Sequence, residues 1–236
     1  MKRTIIITGS SKGIGKAIAL ELAKQNVNLV LVARDQNKLL ELKENIEALG
    51  SNCICVPVDL TLEGSIKTVI DKTLDSFGGI DVLINNAGLG TPGSILDTTE
   101  EQWKKLMTLN AKVPFFLSKE AIPHLSKSSR GIIINISSVV GRKGYVNQAA
   151  YTSSKHALAG FTKVLSQEVR PMGIRVHLIA PGGVATEMVA AMRPDIDAAS
   201  LIQPEEIANI VNFLIFSNGN AMIDEINIHR FDAPLL

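Results

Sequence analysis

The chain is 236 residues long, 46% hydrophobic and 20% charged, with a formal net charge of +1 at pH 7. That length and apolar content suit one α/β domain with a substantial core and exclude a disordered chain. The near-neutral charge and the 4% aromatic content speak against nucleic acid or an anionic membrane as partner, and no apolar stretch approaches the ~20 residues that span a bilayer.

Met1-Lys2-Arg3 precedes a short apolar run, Thr4 to Thr8, that ends at a Gly/Ser loop. It is too short for a signal segment and lacks a small-residue cleavage site, so it reads as the first strand of a cytoplasmic protein. Its β-branched residues suit a central strand covered on both faces. The run flows into Gly9-Ser-Ser-Lys-Gly13-Ile-Gly15 and then Lys16 to Ala23, a good helix sequence. A strand, a glycine turn and a helix N-terminus make a phosphate site, because glycine permits close backbone approach and the free N–H groups favour an anion. No Gly-Lys-Ser/Thr follows, which separates the turn from a P-loop.

Asn28 to Ala33 reads as the second strand, ending at Arg34-Asp35. In dinucleotide folds an acid near this place takes the ribose 2′-OH, while an arginine accommodates a 2′-phosphate. Ala33 stands where the acid would, Arg34 follows, and Lys12 lies inside the glycine turn. Two cations favour NADP(H) over NAD(H), with Asp35 as the counterargument. Gln36 to Leu49 is a helix closed by Gly50, and Cys53 to Val58 is the third strand. Cys53 and Cys55 point to the same face and are poorly placed to bond each other. With no second Cys/His pair to make a metal site, they read as reduced sheet thiols. Asp59-Leu60 follows, with Asp59 placed to cap a helix beginning near Leu62.

Ile80 to Ile84 is the fourth strand, and Asn85-Asn86-Ala87-Gly88 after it has small residues that let a ligand lie against backbone. Thr99 to His124 reads as one long helix interrupted at Pro114, whose missing N–H leaves the carbonyl of Asn110 to bond elsewhere. Gly131 to Ile136 is a buried strand that delivers Ser137 and Ser138 at its end, and a helix beyond the next loop carries Tyr151 and Lys155. Helical residues four apart share a face. A phenol titrates near ~10 unless its anion is stabilised, and a neighbouring ammonium draws it toward acid/base work at neutral pH. A serine at the strand mouth can hold the carbonyl or alcohol being transformed. His156 faces another way and reads as packing or surface.

Ile174 to Ala180 is a further strand, followed by Pro181-Gly182-Gly-Val184-Ala-Thr186 and a Met- and Ala-rich segment. Residues 186–203 read as a mobile lid over substrate. Pro204 opens the last helix, Ile223 to Ile228 makes the final strand, and Pro234-Leu-Leu236 is an apolar tail. Strands and helices alternate throughout, which predicts a single domain, 1–236, with a Rossmann-like doubly wound parallel sheet of about seven strands and helices on both faces. Ligand binds beyond the carboxyl ends of the strands.

These motifs resemble the short-chain dehydrogenase/reductase family over roughly Lys2 to Ile228. The glycine spacing of 9–15 is that family's form, Asn85 to Gly88 and Pro181-Gly-x-Val-x-Thr186 match it, and Tyr151 stands thirteen positions after Ser138 with Lys155 four further. Ser137 rivals Ser138, but only Ser138 has the right interval. The resemblance implies reversible hydride transfer between NADP(H) and a carbonyl/alcohol pair, with no metal required. Tyr151 is the implied general acid/base. Ser138 holds the substrate oxygen, Lys155 stabilises the tyrosinate and binds the nicotinamide ribose, and Asn110 holds a water that links Lys155 to solvent. Gly9, Ser11, Lys12, Gly13, Ile14, Gly15 and Arg34 are implied phosphate ligands, Asp59 and Leu60 adenine ligands. Asn86, Ala87 and Gly88 pass the adenosine ribose, and Pro181, Gly182, Val184 and Thr186 meet the nicotinamide. Gln148 joins Ser138 and Tyr151 at the substrate.

Implied substrates are 3-oxoacyl thioesters, hydroxy acids and other small ketones. A carrier-protein client would need a basic patch, for which Arg142 and Lys143 are the candidates. The alternative is a non-catalytic NADP(H)-binding sensor or scaffold, although such members lose the Tyr or Lys that this chain keeps. The ending Ile226-Asn-Ile-His229-Arg230 departs from the family's Val-Asp-Gly-Gly, which bears on whether the expected oligomer is a homodimer or a homotetramer.

Overall fold

Ile5, Ile6 and Ile7 are fully buried, and strand alternation sends them to opposite faces of one sheet. A computed structural model describes residues 2–192 and 196–231. Seven parallel strands form that sheet in the order β3-β2-β1-β4-β5-β6-β7. They are β1 Thr4–Thr8, β2 Asn28–Ala33, β3 Asn52–Pro57, β4 Val82–Asn85, β5 Ile132–Ile136, β6 Arg175–Pro181 and β7 Glu225–Ile228. The order reverses at β1, so the crevice between β1 and β4 is the switch point where such sheets bind ligands.

On one face Ile5 and Ile7 pack with Ile18 and Leu22 of α1 (Gly13–Ala23), Leu39 and Ile46 of α2 (Gln36–Ala48), and Val211 of a late helix, Pro204–Phe216. On the other, Ile6 meets Val69 of α3 (Ser65–Phe77) and the helices that follow β4 and β5. Each such side chain contributes about 1.5–3 kcal/mol by leaving water, and cover on both faces explains why the strands read as unbroken apolar runs.

The long helix expected from 99 to 124 is divided. α4 (Glu100–Met107) and α5 (Val113–Leu125) are joined by a π-helical turn, Thr108–Lys112, in which the Val113 N–H donates to the Thr108 carbonyl. Pro114 has no N–H to offer Asn110, and the chain widens by a residue instead of breaking. Asp59 does not cap a helix near Leu62. Its carboxylate accepts from the Thr61 N–H at 2.9 Å and hydroxyl at 2.7 Å, and α3 begins later behind Gly64 in a left-handed conformation. Asp35 does cap α2, accepting from the Lys38 N–H at 3.1 Å, which commits the one acid near the tip of β2.

α6 (Ala149–Glu168) carries Tyr151 and Lys155. The segment read as a lid forms α7 (Glu187–Met192) and a 3-10 turn at Ala198–Ser200 before α8 (Pro204–Phe216). Its residues 193–195, and the tail Pro234-Leu-Leu236, lie outside the described residues. No helix among the described residues is long and apolar enough to cross a membrane.

Candidate active site

Backbone geometry builds the first half of the site. Gly9 and Gly13 hold positive φ angles of 67° and 55°, which side chains avoid. A Cβ on Gly15 would stand 2.3 Å from the Gly9 carbonyl oxygen and 2.6 Å from Asn86 Nδ2. The turn thus leaves no room for side chains and presents bare backbone at the start of α1, which has no side-chain cap. Asn86 ties this turn to β4. Its Nδ2 donates to the Thr8 carbonyl at 2.9 Å and the Gly9 carbonyl at 3.2 Å. Thr8 Oγ1 accepts from the N–H groups of Asn86 and Ala87, both at 3.0 Å. A glycine cradle at an uncapped helix N-terminus fits the phosphates of a dinucleotide.

Ser11 and Ile14 are half-buried in the cradle and Lys12 is exposed at its rim. Lys12 Nζ pairs at 2.5 Å with Glu187, the first residue of α7, and a Cβ on Gly13 would lie 3.1 Å from Thr186 Cγ2. The start of α7 therefore sits over the glycine turn. Arg34 is exposed at the tip of β2. The Asp59 carboxyl is held below its ordinary range by the Thr61 hydroxyl and N–H and, more weakly, by the charge of Arg34. Leu60 is buried beside it. On the other side of the switch point, the Gly182 N–H donates to the Ile228 carbonyl at 2.7 Å after Pro181 ends β6. Val184 is buried, and Thr186 Oγ1 donates to the Val184 carbonyl at 3.3 Å.

Ser138, Tyr151, Lys155 and Asn110 converge, all buried. Ser138 stands close enough to the Tyr151 phenol to lower its pKa. Lys155 Nζ donates to the Ile136 carbonyl at 2.9 Å and lies 6.0 Å from the Tyr151 ring centre. A Cβ on Gly88 would come within 3.4 Å of Asn110 Oδ1 and 3.6 Å of Lys155 Nζ, so the glycine admits both. Burial pushes the Tyr151 phenol up to about 12, against the pull of Ser138. Burial pulls the Lys155 ammonium down to about 8. The expected lowering of Tyr151 by Lys155 is absent here: the ammonium is directed at a carbonyl, and desolvation favours the neutral form of each group.

The Asn110 side chain is fully engaged with protein. Its Oδ1 accepts from the Leu89 N–H at 2.8 Å, and its Nδ2 donates to the Leu89 carbonyl at 2.8 Å and to Ser154 Oγ at 2.9 Å. Its main-chain carbonyl stands four residues before Pro114, which has no N–H to give it. Gln148 precedes α6, and the Gly93 N–H donates to the neighbouring Asn147 carbonyl at 2.8 Å, tying the loop after β4 to the start of α6. Val140, Ala150 and Leu106 pack with Tyr151, joined by Leu89 and Met192, so the mouth beside the phenol is apolar. Arg142 is bound to Glu225, and Lys143 Nζ lies 5.4 Å over the Tyr145 ring. Neither candidate for a basic patch is uncommitted. Among the described residues no group of three His, Cys, Asp or Glu is placed to share a metal.

Sequence reasoning passed over Thr8, Ser154 and the Leu89 backbone as supports of Asn86 and Asn110. Ser154 stands three residues after Tyr151, on a neighbouring stripe of α6, and Thr8 is the polar residue that closes β1; both signals were available. It also missed the buried chain in which Asn85 Nδ2 donates to Asn135 Oδ1 at 2.8 Å and Asn135 Nδ2 to Thr162 Oγ1 at 2.8 Å. That chain depends on strand register, β4 beside β5.

Comparison with known proteins agrees with this geometry. The family model for short chain dehydrogenase matches residues 3–197. The 3-oxoacyl-[acyl-carrier-protein] reductase FabG of Vibrio cholerae is 35% identical over 220 residues, 90% of this chain and 89% of that protein. A metagenomic short-chain oxidoreductase, solved in complex with NADP, superposes with a TM-score of 0.85 at 33% identity over 97% of each chain. Acetoin dehydrogenase YohF from Salmonella typhimurium does so at 0.87 and 29% identity, over 97% of this chain and 95% of that one.

Proposed function

The chain belongs to the short-chain dehydrogenase family, and from that premise we propose that it interconverts a carbonyl and a secondary alcohol with NADP(H) as cofactor. The observation that carries this is the joint burial of Tyr151, Ser138, Lys155 and Asn110, with Lys155 Nζ 6.0 Å from the Tyr151 ring centre and Ser138 near enough to lower the phenol's pKa, at the carboxyl edge of the same sheet that holds the glycine cradle. Gly9, Ser11, Lys12, Gly13, Ile14 and Gly15 would hold the phosphates, and Arg34 the 2′-phosphate. Asp59 and Leu60 would hold the adenine, Asn86, Ala87 and Gly88 the adenosine ribose, and Pro181, Gly182, Val184 and Thr186 the nicotinamide. NADPH, when bound, supplies the hydride.

The chain's own residues handle the oxygen and the proton. Ser138 Oγ fixes the carbonyl oxygen near the phenol, and Tyr151 gives that oxygen its proton as negative charge develops on it. Lys155 opposes charge on the resulting phenolate, and the freed Asn110 carbonyl offers a water a route for the replacement proton. Positioned proton transfer of this kind contributes about 10²–10⁴-fold in rate. The apolar wall of Val140, Leu89 and Met192 supports a small ketone or 3-oxoacyl thioester with an apolar group beside the carbonyl, and Gln148 completes the mouth.

The test is Tyr151→Phe, assayed with NADPH against 3-oxoacyl thioesters and small ketones. Turnover should fall by about 10²–10⁴-fold with NADPH affinity nearly unchanged. Wild-type turnover in the variant would refute the assignment, and absence of NADPH binding in the parent would remove the cofactor reading with it.

A further inference from the structure

The backbone does not ask for glycine at position 90, since Gly90 is not among the glycines with positive φ. Space asks for it instead. A Cβ there would stand 2.5 Å from Met192 Sδ, 3.2 Å from Met188 Sδ and 3.4 Å from Met188 Cγ. The nearest atoms all belong to two methionines of α7, and the first is too close for any side chain to share the place.

Met188 and Met192 stand four residues apart, so one face of α7 carries both. They are half-buried, while Glu187, Ala190 and Ala191 are exposed. α7 is thus held at two places: Glu187 pairs with Lys12 at the glycine turn, and the methionine face is seated on Gly90. Beyond that seat Met192 packs against the cluster of Tyr151, Val140, Ala150 and Leu106, as does Leu89. Leu89 in turn is anchored through its N–H and carbonyl to the Asn110 side chain, each at 2.8 Å.

We propose that Gly90, Met188 and Met192 are specificity-determining residues that limit the substrate to a compact group beside the reacting carbonyl. The proposal rests on the carbonyl-reductase reading above and deepens it. A carbonyl held by Ser138 and Tyr151 turns a substituent toward the apolar wall, where it must share the space that Met192 fills. The bare Cα of Gly90 lets both thioethers close on that mouth, and unbranched methionine moulds itself to the gap. Short 3-oxoacyl thioesters and methyl ketones fit beside the sulfurs, and long acyl chains do not.

The test compares acetoacetyl- and 3-oxooctanoyl-N-acetylcysteamine as substrates with NADPH. The parent should favour the shorter thioester by about tenfold or more in kcat/KM, the value of a misfitting methylene. Met192→Ala should erase most of that preference, chiefly by lowering KM for the longer thioester. Gly90→Ala should act in the same direction, because its Cβ displaces the Met192 thioether. The double variant should go no further than Met192→Ala, since both changes break one contact. Circular dichroism and NADPH titration check the fold, and Met188→Ala replaces Gly90→Ala in the comparison should the latter fail to fold. Equal use of both thioesters by the parent, an unchanged preference in Met192→Ala, or additive effects in the double variant would overturn the proposal and leave the carbonyl reading standing. A parent that binds NADPH but reduces neither thioester nor 2-butanone would overturn that reading and this proposal with it.

Discussion

Tyr151 and Lys155 are balanced toward their uncharged forms, because burial raises the phenol to about 12 and lowers the ammonium to about 8. A phenol so raised is protonated at neutral pH, the form that donates to a carbonyl. Reduction should therefore be nearly independent of pH from acid to neutral. Oxidation of the alcohol needs the phenolate, so its kcat/KM should climb by up to about tenfold per pH unit above neutrality. Profiles of both directions check this, and a flat oxidation limb would contradict it. At the cofactor's far end, Arg34→Asp should weaken NADPH by roughly 10–100-fold, the value of a charge-assisted hydrogen bond, and leave NADH nearly unaffected. Fluorescence titration with the two cofactors measures the difference, and equal losses for both would remove Arg34 from the 2′-phosphate. Lys12 faces a competitor in Glu187. Glu187→Gln should tighten NADPH only modestly, by roughly two- to five-fold, since the pair is exposed and screened.

At the scale of elements, α6 and the sheet are joined by buried polar side chains. Asn135 accepts from Asn85 and donates to Thr162, so Asn135→Leu, equal in side-chain heavy atoms but bulkier, takes one buried hydrogen bond from each, while Asn85 keeps Ser118 and Thr162 keeps the Leu158 carbonyl. It should cost about 1–3 kcal/mol, read as a lower urea midpoint at unchanged slope. The fate of the helix around Pro114 shows how far pattern reasoning reaches. Proline announces the lost hydrogen bond of Asn110, but whether the chain kinks, breaks or widens depends on what α4 and α5 pack against. Here it widens into a π-helical turn, which sets the Asn110 side chain against Leu89 and Ser154. Asp59 teaches the same point from the other direction. Its aspartate chemistry suits a cap or a turn equally, and only the later start of α3 decides for the turn with Thr61.

For the molecule as a whole, His177 in β6 couples stability to acid. It is buried, its Nδ1 bonds the Ile223 carbonyl at 2.6 Å, and burial holds its pKa below the ordinary histidine value. Unfolding lets it take a proton near its ordinary pKa of ~6.5, so its contribution is complete above that pH and is lost as pH falls from there toward the native value. The thermal midpoint should drop below about pH 6.5, and His177→Gln should flatten that slope; an unchanged slope would acquit the residue. The doubly wound sheet, its seven strands, the glycine turn and the Ser138–Tyr151–Lys155 spacing were all legible in the chain, because each rests on local periodicity, on glycine's freedom or on residues a helical turn apart. The placement of α7 against the glycine turn, the burial that raises the phenol and the pairing of Arg142 with Glu225 were decided only by tertiary structure. Strand order, desolvation and charge pairing join residues distant in sequence, and no local pattern encodes the separation at which they finally stand.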